Sequence, residues 1–460
     1  MTSIKIISPI DGSVYAERQT VADSALDGIV SRARAAQAEW VEVPVKDRVR
    51  QALSFLDALV AMNDEMVLEL AWQMGRPVRY GGEKRGVEER VRYMAAIAED
   101  SLKPYEPAPL DGFRRHVKRE PLGLVLVIAP WNYPYLTAVN SVFPGLIAGN
   151  AVILKHAAQT LLVGERFQTA FEKAGLPKGL FQNVVLSHDQ TELLISSRKI
   201  DHVSFTGSVG GGRAVERAAA GTFASLGLEL GGKDPAYVCD DVKIEHAVEN
   251  LVDGSFFNSG QSCCGIERIY VHEKVYEPFV EGFVDLTSKY IVGNPLDKET
   301  TIGPMARGSF ADNVRGQIGE AVRKGAKKHI GMRYEKDRDG SPYLAPEVLT
   351  DVNHQMAVMR EESFGPVVGI MKVRDDDEAV SLMNDSLYGL TASVWTTDLD
   401  RAGKIGDRIE TGTVFANRCD YLDPGLTWTG VKDTGRGAAL SKFGYDALTR
   451  PKSYHLRDVK

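Results

Sequence analysis

The chain has 460 residues, a formal net charge of −7 and 43% hydrophobic residues. These values exclude a small disulfide-stabilised scaffold, a fibre and a disordered chain, and they predict about three structural units. The acidic balance argues against nucleic acid as a partner, because surfaces that bind nucleic acid are basic. We find neither an apolar signal core nor an apolar run long enough to span a bilayer, so the sequence predicts a cytoplasmic protein without membrane contact.

The first hundred residues and the rest of the chain have different apolar patterns. From Val21 to about Asp100 apolar residues recur at helical spacing. After that, short apolar runs alternate with helix-compatible segments, which is typical of βαβ units and a parallel sheet. The predicted strands are 124–129, 151–154, 183–186, 202–205, 236–239 and 268–271, and a further helix is predicted over 275–290.

These patterns predict an α/β protein in which a doubly wound parallel sheet is joined to a second α/β domain. The first domain takes residues 1–100 and 122–233, and the second takes residues 234–431. The charged, extended segments 101–121 and 445–460 are predicted to form a small β arm that pairs with another subunit. A doubly wound sheet binds its ligands at the carboxyl ends of its strands.

The four cysteines do not form a disulfide framework, and no cysteine or histidine spacing predicts a metal site. Cys263 is the candidate nucleophile, because glycine and small polar residues bring it out of a helical approach. Cys264 beside it serves as the comparison, since adjacent side chains point in different directions. No histidine lies near Cys263, so Glu229, at the rim of an apolar strand and followed by two glycines, is the candidate general base.

Two further segments offer chemistry at strand ends. Prolines on both sides hold Asn132, whose amide N–H suits an oxyanion. Residues 205–212 follow a strand and open a helix with glycines, which leaves backbone N–H groups free for phosphate. Lys155 at the end of another strand and the segment 361–366 are weaker candidates for the same ligand.

Taken together, these residues resemble the aldehyde dehydrogenase superfamily over essentially the whole chain. The resemblance rests on seven motifs in order, at 130–134, 149–155, 205–212, 229–233, 257–263, 361–366 and 430–432. It implies that the first domain binds NAD or NADP and that the second carries the nucleophile. The implied reaction oxidises an aldehyde through a thiohemiacetal and a thioester on Cys263, with Asn132 as oxyanion donor and Glu229 as the base that activates water.

The resemblance also implies the residues around the two ligands. The implied cofactor contacts are Trp131, Lys155, Thr206, Gly207, Ser208, Gly212, Leu230, Glu362 and Phe364. The implied substrate pocket is formed by Tyr133, Leu136, Ser262, Asp420, Leu422 and Trp428, with Trp428 at the mouth of the tunnel. Members of the family assemble as homodimers or homotetramers, which implies the same here.

Two positions depart from the family pattern. Ala158 stands where many members have the glutamate that holds the ribose diol, which leaves NAD and NADP both open, and His156 is close enough in sequence to approach a 2′-phosphate. Ser141 stands where many members have a lysine on a proton exit path, so proton release must follow another route in this chain.

The substrate and the activity both have alternatives. Length and overall pattern resemble the short succinate-semialdehyde dehydrogenases, whose anionic substrate needs an arginine or hydroxyls; Arg418 and Ser262 are the nearest candidates. Aromatic residues beside Asp420 would instead suit an aminoaldehyde such as betaine aldehyde. An aliphatic aldehyde needs neither a cation nor a carboxylate in the pocket. A catalytically silent scaffold and a cofactor-free cysteine hydrolase are the competing classes.

Overall fold

The computed structural model describes residues 2–332 and 334–459. The helices of these residues, in chain order, are α1 (Leu26–Trp40), α2 (Val45–Val60), α3 (Asn63–Met74), α4 (Lys84–Leu102), α5 (Pro134–Ala148), α6 (Leu161–Lys173), α7 (His188–Ser196), α8 (Val209–Ala219), α9 (Ile244–Phe256), α10 (Tyr276–Thr287), α11 (Gly308–Arg323), α12 (Ala357–Arg360), α13 (Asp376–Asn384), α14 (Leu399–Gly406) and α15 (Ser441–Ala447).

The strands, again in chain order, are β1 (Ser3–Ile7), β2 (Val14–Gln19), β3 (Phe113–Pro121), β4 (Leu124–Ala129), β5 (Ala151–His156), β6 (Phe181–Asn183), β7 (His202–Thr206), β8 (Ser225–Glu229), β9 (Asp234–Val238), β10 (Ile266–His272), β11 (Lys327–Lys328), β12 (Glu347–Thr350), β13 (Val367–Val373), β14 (Tyr388–Gly389), β15 (Thr391–Trp395), β16 (Thr413–Ala416), β17 (Val431–Lys432), β18 (Gly435–Arg436) and β19 (Thr449–Arg457).

A six-stranded sheet in the order β18-β8-β7-β4-β5-β6 positions the site. Its neighbours are parallel except for β18 and β8. The strand order reverses between β4 and β7, and ligands of such sheets bind in the crevice at that reversal. The ends of β4, β7 and β8 therefore bring residues 130–132, 206–208 and 229 to one edge.

A second, seven-stranded sheet has the order β11-β12-β13-β10-β9-β15-β16. Side chains of β9 alternate between its two faces, with Ala236 and Val238 in one apolar cluster and Tyr237 and Cys239 in another. Burial on both faces explains why these strands read as unbroken apolar runs. The predicted α/β class with parallel sheets is confirmed.

Three local expectations need correction or addition. The strand predicted over 183–186 is β6, at Phe181–Asn183, and the helix predicted over 275–290 is α10, at Tyr276–Thr287. The hairpin of β1 and β2 was not predicted, because its alternation is short and half-exposed. The two segments predicted to be arms contain β3 and β19, which pair with each other along their length; their role in oligomerisation and the exact domain limits remain predictions.

No helix within residues 2–332 and 334–459 has the length and apolar character needed to cross a membrane. The same residues contain no group of three or more His, Cys, Asp or Glu side chains placed to hold a metal ion.

Candidate active site

Cys263 lies on a loop whose backbone is held in an unusual conformation. After α9, Asn258 and Ser259 adopt left-handed φ angles of 54° and 58°, and Gly260 follows at 70°. A Cβ on Gly260 would lie 2.3 Å from the Gly365 carbonyl oxygen, so only glycine fits there. The Ser259 hydroxyl donates to the Gly303 carbonyl at 2.9 Å and fixes the loop. This strained turn ends the helical direction and brings Cys263 to the junction of two cavities.

The first of these cavities, the cofactor cavity, has a volume of about 310 Å³. Its wall contains Trp131, Asn132, Thr206, Gly207, Ser208, Glu229, Leu230, Cys263, Glu362 and Phe364 together with Phe310 and other residues. The second, the substrate cavity, has a volume of about 260 Å³ and includes Tyr133, Leu136, Thr206, Glu229, Cys263, Asp420, Leu422 and Trp428. Cys263, Glu229, Thr206 and Leu230 line both cavities, so a ligand in each would meet at Cys263.

Glu229 ends β8 at this junction, and the hydroxyl of Thr206 donates to its Oε2 at 3.2 Å. Burial desolvates the carboxylate and raises its pKa to about 7. The hydrogen bond from Thr206 and the positive charge of Arg90 lower this pKa, but by less than burial raises it. A carboxyl group whose pKa lies near neutrality can both take and release a proton. Glu229 is therefore the candidate general base on the walls that Cys263 also lines.

Asn132 is buried, and its Nδ2 donates to the Gln261 carbonyl at 3.1 Å. This bond uses one amide hydrogen and leaves the second for a ligand. Arg76 also contacts the Asn132 loop. It is ion-paired to Glu83, and it donates to the Asn132 carbonyl and to Oδ1 of Asn258. Arg76 thus links the Asn132 loop to the cysteine loop, a role that no local sequence signal predicts.

The cofactor cavity fits a nicotinamide dinucleotide. Its flat apolar wall is formed by Trp131, which stacks on Phe310 and meets Phe364 edge-on, each at 5.5 Å between ring centroids. Ser208 caps α8, and a Cβ on Gly210 would meet nothing within 4 Å, so the start of this helix is open to phosphate.

Glu362 accepts a hydrogen bond from the Gly232 N–H at 3.0 Å, and burial raises its pKa to about 8. Its segment is fixed by Glu267, which accepts from the backbone N–H groups of Ser363 at 2.8 Å and Phe364 at 2.9 Å. Glu267 is itself buried and ion-paired to Lys233. Glu362 and Phe364 were predicted from the sequence, but the buried pair that positions them was not.

Three residues of the expected cofactor side lie outside the cofactor cavity. Lys155 is the penultimate residue of β5, and its pKa is lowered by desolvation. Gly212 faces Leu230, because a Cβ there would lie 2.6 Å from a methyl group of that leucine. The suggestion that His156 could approach a phosphate is wrong: its ring is buried, contacts the Pro134 carbonyl and accepts from the Ala157 N–H, and burial lowers its pKa to about 4.

In the substrate cavity, Asp420 accepts hydrogen bonds from the Ser262 hydroxyl at 3.0 Å and from the Cys264 thiol at 2.9 Å. Ser262 therefore supports Asp420 and is not on the cavity wall. Burial raises the pKa of Asp420 to about 7. The thiol pKa of Cys264 is raised well above its usual value, first by its hydrogen bond with Cys263 and then by burial. Cys264 lines only the substrate cavity, whereas Cys263 lines both cavities.

The placement of Trp428 at the tunnel mouth is wrong. Its side chain is 4% exposed and lines the substrate cavity, and its backbone pairs with that of Ala439. The mouth is formed instead by Tyr421, whose hydroxyl donates to the exposed Glu89. Arg418 lies outside, with its guanidinium 3.5 Å from the centroid of the Tyr421 ring.

Arg90 is a cavity residue that the sequence analysis did not identify. It is buried in α4, lines the substrate cavity, and donates to the Leu136 carbonyl at 2.8 Å and to Oδ1 of Asn140 at 3.1 Å. Within residues 2–332 and 334–459 it has no ion-pair partner, and desolvation lowers its pKa. Its contact with α5 arises across more than forty residues of chain, so no local motif could reveal it.

The comparisons with known proteins agree with this geometry. The sequence profile of the Aldehyde dehydrogenase family matches residues 1–454. The chain belongs to the aldehyde dehydrogenase family. It is 31% identical to the NAD(P)+ succinate semialdehyde dehydrogenase of Escherichia coli strain K12, over 95% of this chain and 94% of that protein. It is also 31% identical to betaine aldehyde dehydrogenase 1 of Rhizobium meliloti strain 1021, over 99% of this chain and 94% of that protein.

A solved structure with the same fold is the succinic semialdehyde dehydrogenase of Streptococcus pyogenes in complex with NADP+. It superposes with a TM-score of 0.93 at 26% identity, covering 99% of this chain and all of that one. The predicted family and enzyme class are therefore confirmed, and the predicted nicotinamide dinucleotide is confirmed as the cofactor type named for these relatives.

Proposed function

We propose that this protein oxidises an aldehyde to the carboxylic acid with NAD or NADP as hydride acceptor. The observation that carries the proposal is the meeting of the cofactor and substrate cavities at one sulfur, Cys263, and one carboxylate, Glu229. A nicotinamide dinucleotide held in the cofactor cavity would supply the hydride acceptor.

Residues of the chain provide the nucleophile, the oxyanion donors and the base. The Cys263 thiolate attacks the aldehyde carbon, and Asn132 Nδ2–H together with the Cys263 backbone N–H stabilises the oxyanion of the resulting thiohemiacetal. Loss of hydride leaves a thioester on the sulfur. Glu229 then takes a proton from water, whose oxygen attacks the thioester carbon, and the carboxylic acid leaves as the thiolate returns.

Two substrate classes have support from separate observations. Succinate semialdehyde is the first candidate: relatives carry that name, and the buried Arg90 provides a cation on the cavity wall that can hold a carboxylate. An aminoaldehyde of the betaine-aldehyde type is the second, because Asp253 and Asp420 line the same cavity between aromatic side chains.

Matched variants of the two charged residues distinguish these classes. With succinate semialdehyde as substrate, we expect Arg90→Gln to raise KM by roughly tenfold or more, because a charge-assisted contact is lost, while KM for propanal changes little. With a cationic aminoaldehyde as substrate, Asp420→Asn should raise KM by a similar factor, while KM for propanal changes little. Steady-state kinetics of both variants and the parent against both coenzymes measure this. Equal effects on propanal and on the charged aldehydes would contradict a recognition role for either residue.

The oxyanion contact gives a second test of the mechanism. Asn132→Ala is expected to lower kcat/KM by on the order of 10²-fold, because one preorganised donor is removed from the developing negative charge. Asn132→Asp, which keeps the shape but brings a like charge to the oxyanion, should be at least as slow. Retention of parent activity in both variants would remove Asn132 from the mechanism.

A further inference from the structure

A third cavity, of about 230 Å³, also reaches Glu229 and Thr206, and we refer to it as the rear cavity. Cys263 is not on its wall, so the rear cavity meets the other two cavities at Glu229 and Thr206 and not at the sulfur. Its outer end includes Ser225 and Arg436, both of which are exposed. The rear cavity thus connects the proposed base with the protein surface. The ionisable groups on its wall are Glu229, His202 and Arg436, and Arg436 is ion-paired to Glu216.

One face of two neighbouring strands forms a polar row along this cavity. The parallel register of β7 and β8 pairs His202 with Ser225, Ser204 with Gly227 and Thr206 with Glu229. Because every second side chain of a strand shares a face, these six positions lie together. The alternate positions of both strands are apolar, namely Val203, Phe205, Leu226 and Leu228.

The row is connected by hydrogen bonds. His202 Nδ1 lies 2.7 Å from the Ser225 hydroxyl and Nε2 lies 3.0 Å from the Ser204 hydroxyl. Thr206 donates to Glu229 at the inner end. Burial lowers the pKa of His202 to about 4, so the ring is neutral near pH 7. A neutral imidazole can accept a proton on one nitrogen as it releases the proton of the other.

The remaining gap between Ser204 and Glu229 is suited to water. Asn140, which is 3% exposed, lines both the rear cavity and the substrate cavity, and its Nδ2 has no hydrogen-bond partner within residues 2–332 and 334–459. A buried amide donor of this kind is normally satisfied by water when the site is polar and has room for it. Gly227 contributes to that room, because it places no side chain in the middle of the polar row.

We propose that the rear cavity carries away the proton that Glu229 takes from the hydrolytic water, through cavity water to Ser204, His202 and Ser225. This inference rests on the proposed function, since it takes Glu229 as the base. In the step itself, water oxygen bonds to the thioester carbon, the C–S bond breaks with its electron pair left on sulfur, and the proton goes to Glu229. Ser141, which stands in place of the family's lysine, lines the same cavity.

A cofactor-free assay separates the two proposals. An activated ester such as 4-nitrophenyl acetate acylates a reactive Cys263 in a burst, and the following steady state reports hydrolysis by Glu229-activated water. We expect His202→Ala to keep the burst but to lower the steady-state rate by about tenfold, with a larger solvent isotope effect and recovery on addition of imidazole. Gly227→Val, which fills the cavity, should slow the same phase without recovery.

His272→Ala is the matched control, because His272 is also buried but ends β10 in the other sheet. It should leave both phases unchanged. An unchanged steady state in both His202→Ala and Gly227→Val, with the burst intact, would overturn the proton route and leave the proposed function standing. Absence of a burst in the parent protein would instead contradict the role of Cys263. Should His202→Ala fail to fold, Gly227→Val alone decides the question.

Discussion

Replacing Cys263 by alanine is expected to reduce aldehyde-dependent formation of reduced nicotinamide by on the order of 10³-fold or more. The physical reason is that Cys263 supplies the sulfur at the junction where an aldehyde and a nicotinamide can meet. We do not expect its neighbour Cys264 to substitute, because Cys264 lines only the substrate cavity, is buried and donates its thiol to Asp420. Absorbance of the reduced cofactor at saturating aldehyde measures the effect.

Cys239→Ala provides the control for this experiment. Cys239 is buried in the core of the second sheet and lines neither cavity, so we expect its removal to affect stability and not the reaction. We expect its specific activity to match that of the parent. Aldehyde oxidation at the parent rate in Cys263→Ala would refute the covalent mechanism as a whole.

Replacing Glu229 by glutamine is expected to preserve a first-turnover burst of reduced cofactor and to lower steady-state turnover by on the order of 10²-fold or more. In the proposed mechanism, acylation of Cys263 does not use the carboxylate, whereas hydrolysis of the thioester does. Because the pKa of Glu229 is raised to about 7, the base is protonated and inactive at lower pH. Parent turnover should therefore rise as the pH increases through about 7, and this rise should be absent from the variant.

Rapid-mixing measurements across pH 5.5 to 8.5, taken as a range about that pKa, separate the burst from the steady state. Glu249→Gln, on the exposed side of α9, is the matched charge-removing control and should behave as the parent does. Parent-like turnover in Glu229→Gln would show that another group activates the water. Loss of the burst together with turnover would place Glu229 in the acylation step instead.

The sequence alone predicted the parts of the site that depend on local pattern. Cys263, Glu229 and Asn132 each follow a helix or strand end at which glycine or proline fixes the backbone, and such signals are contained in a few adjacent residues. The strands β4 and β5 were predicted because burial on both faces gives them continuous apolar runs, whereas β7 alternates apolar with polar residues. The hairpin of β1 and β2 lacks such a run and was not predicted.

The tertiary structure decided which distant side chains share a wall. Arg90 and Trp428 share the wall of the substrate cavity although they lie far apart in the sequence. Arg76 bonds to both the Asn132 loop and the cysteine loop, and the backbone of Trp428 pairs with Ala439. All of these contacts depend on the packing of distant segments. The polar row on β7 and β8 likewise depends on strand register, which pairs His202 with Ser225 and Thr206 with Glu229. Burial and charge environment are properties of the packed chain, so the sequence identified the candidate groups Cys263, Glu229 and Asn132, whereas packing determined the pKa of Glu229 and the neighbours of all three.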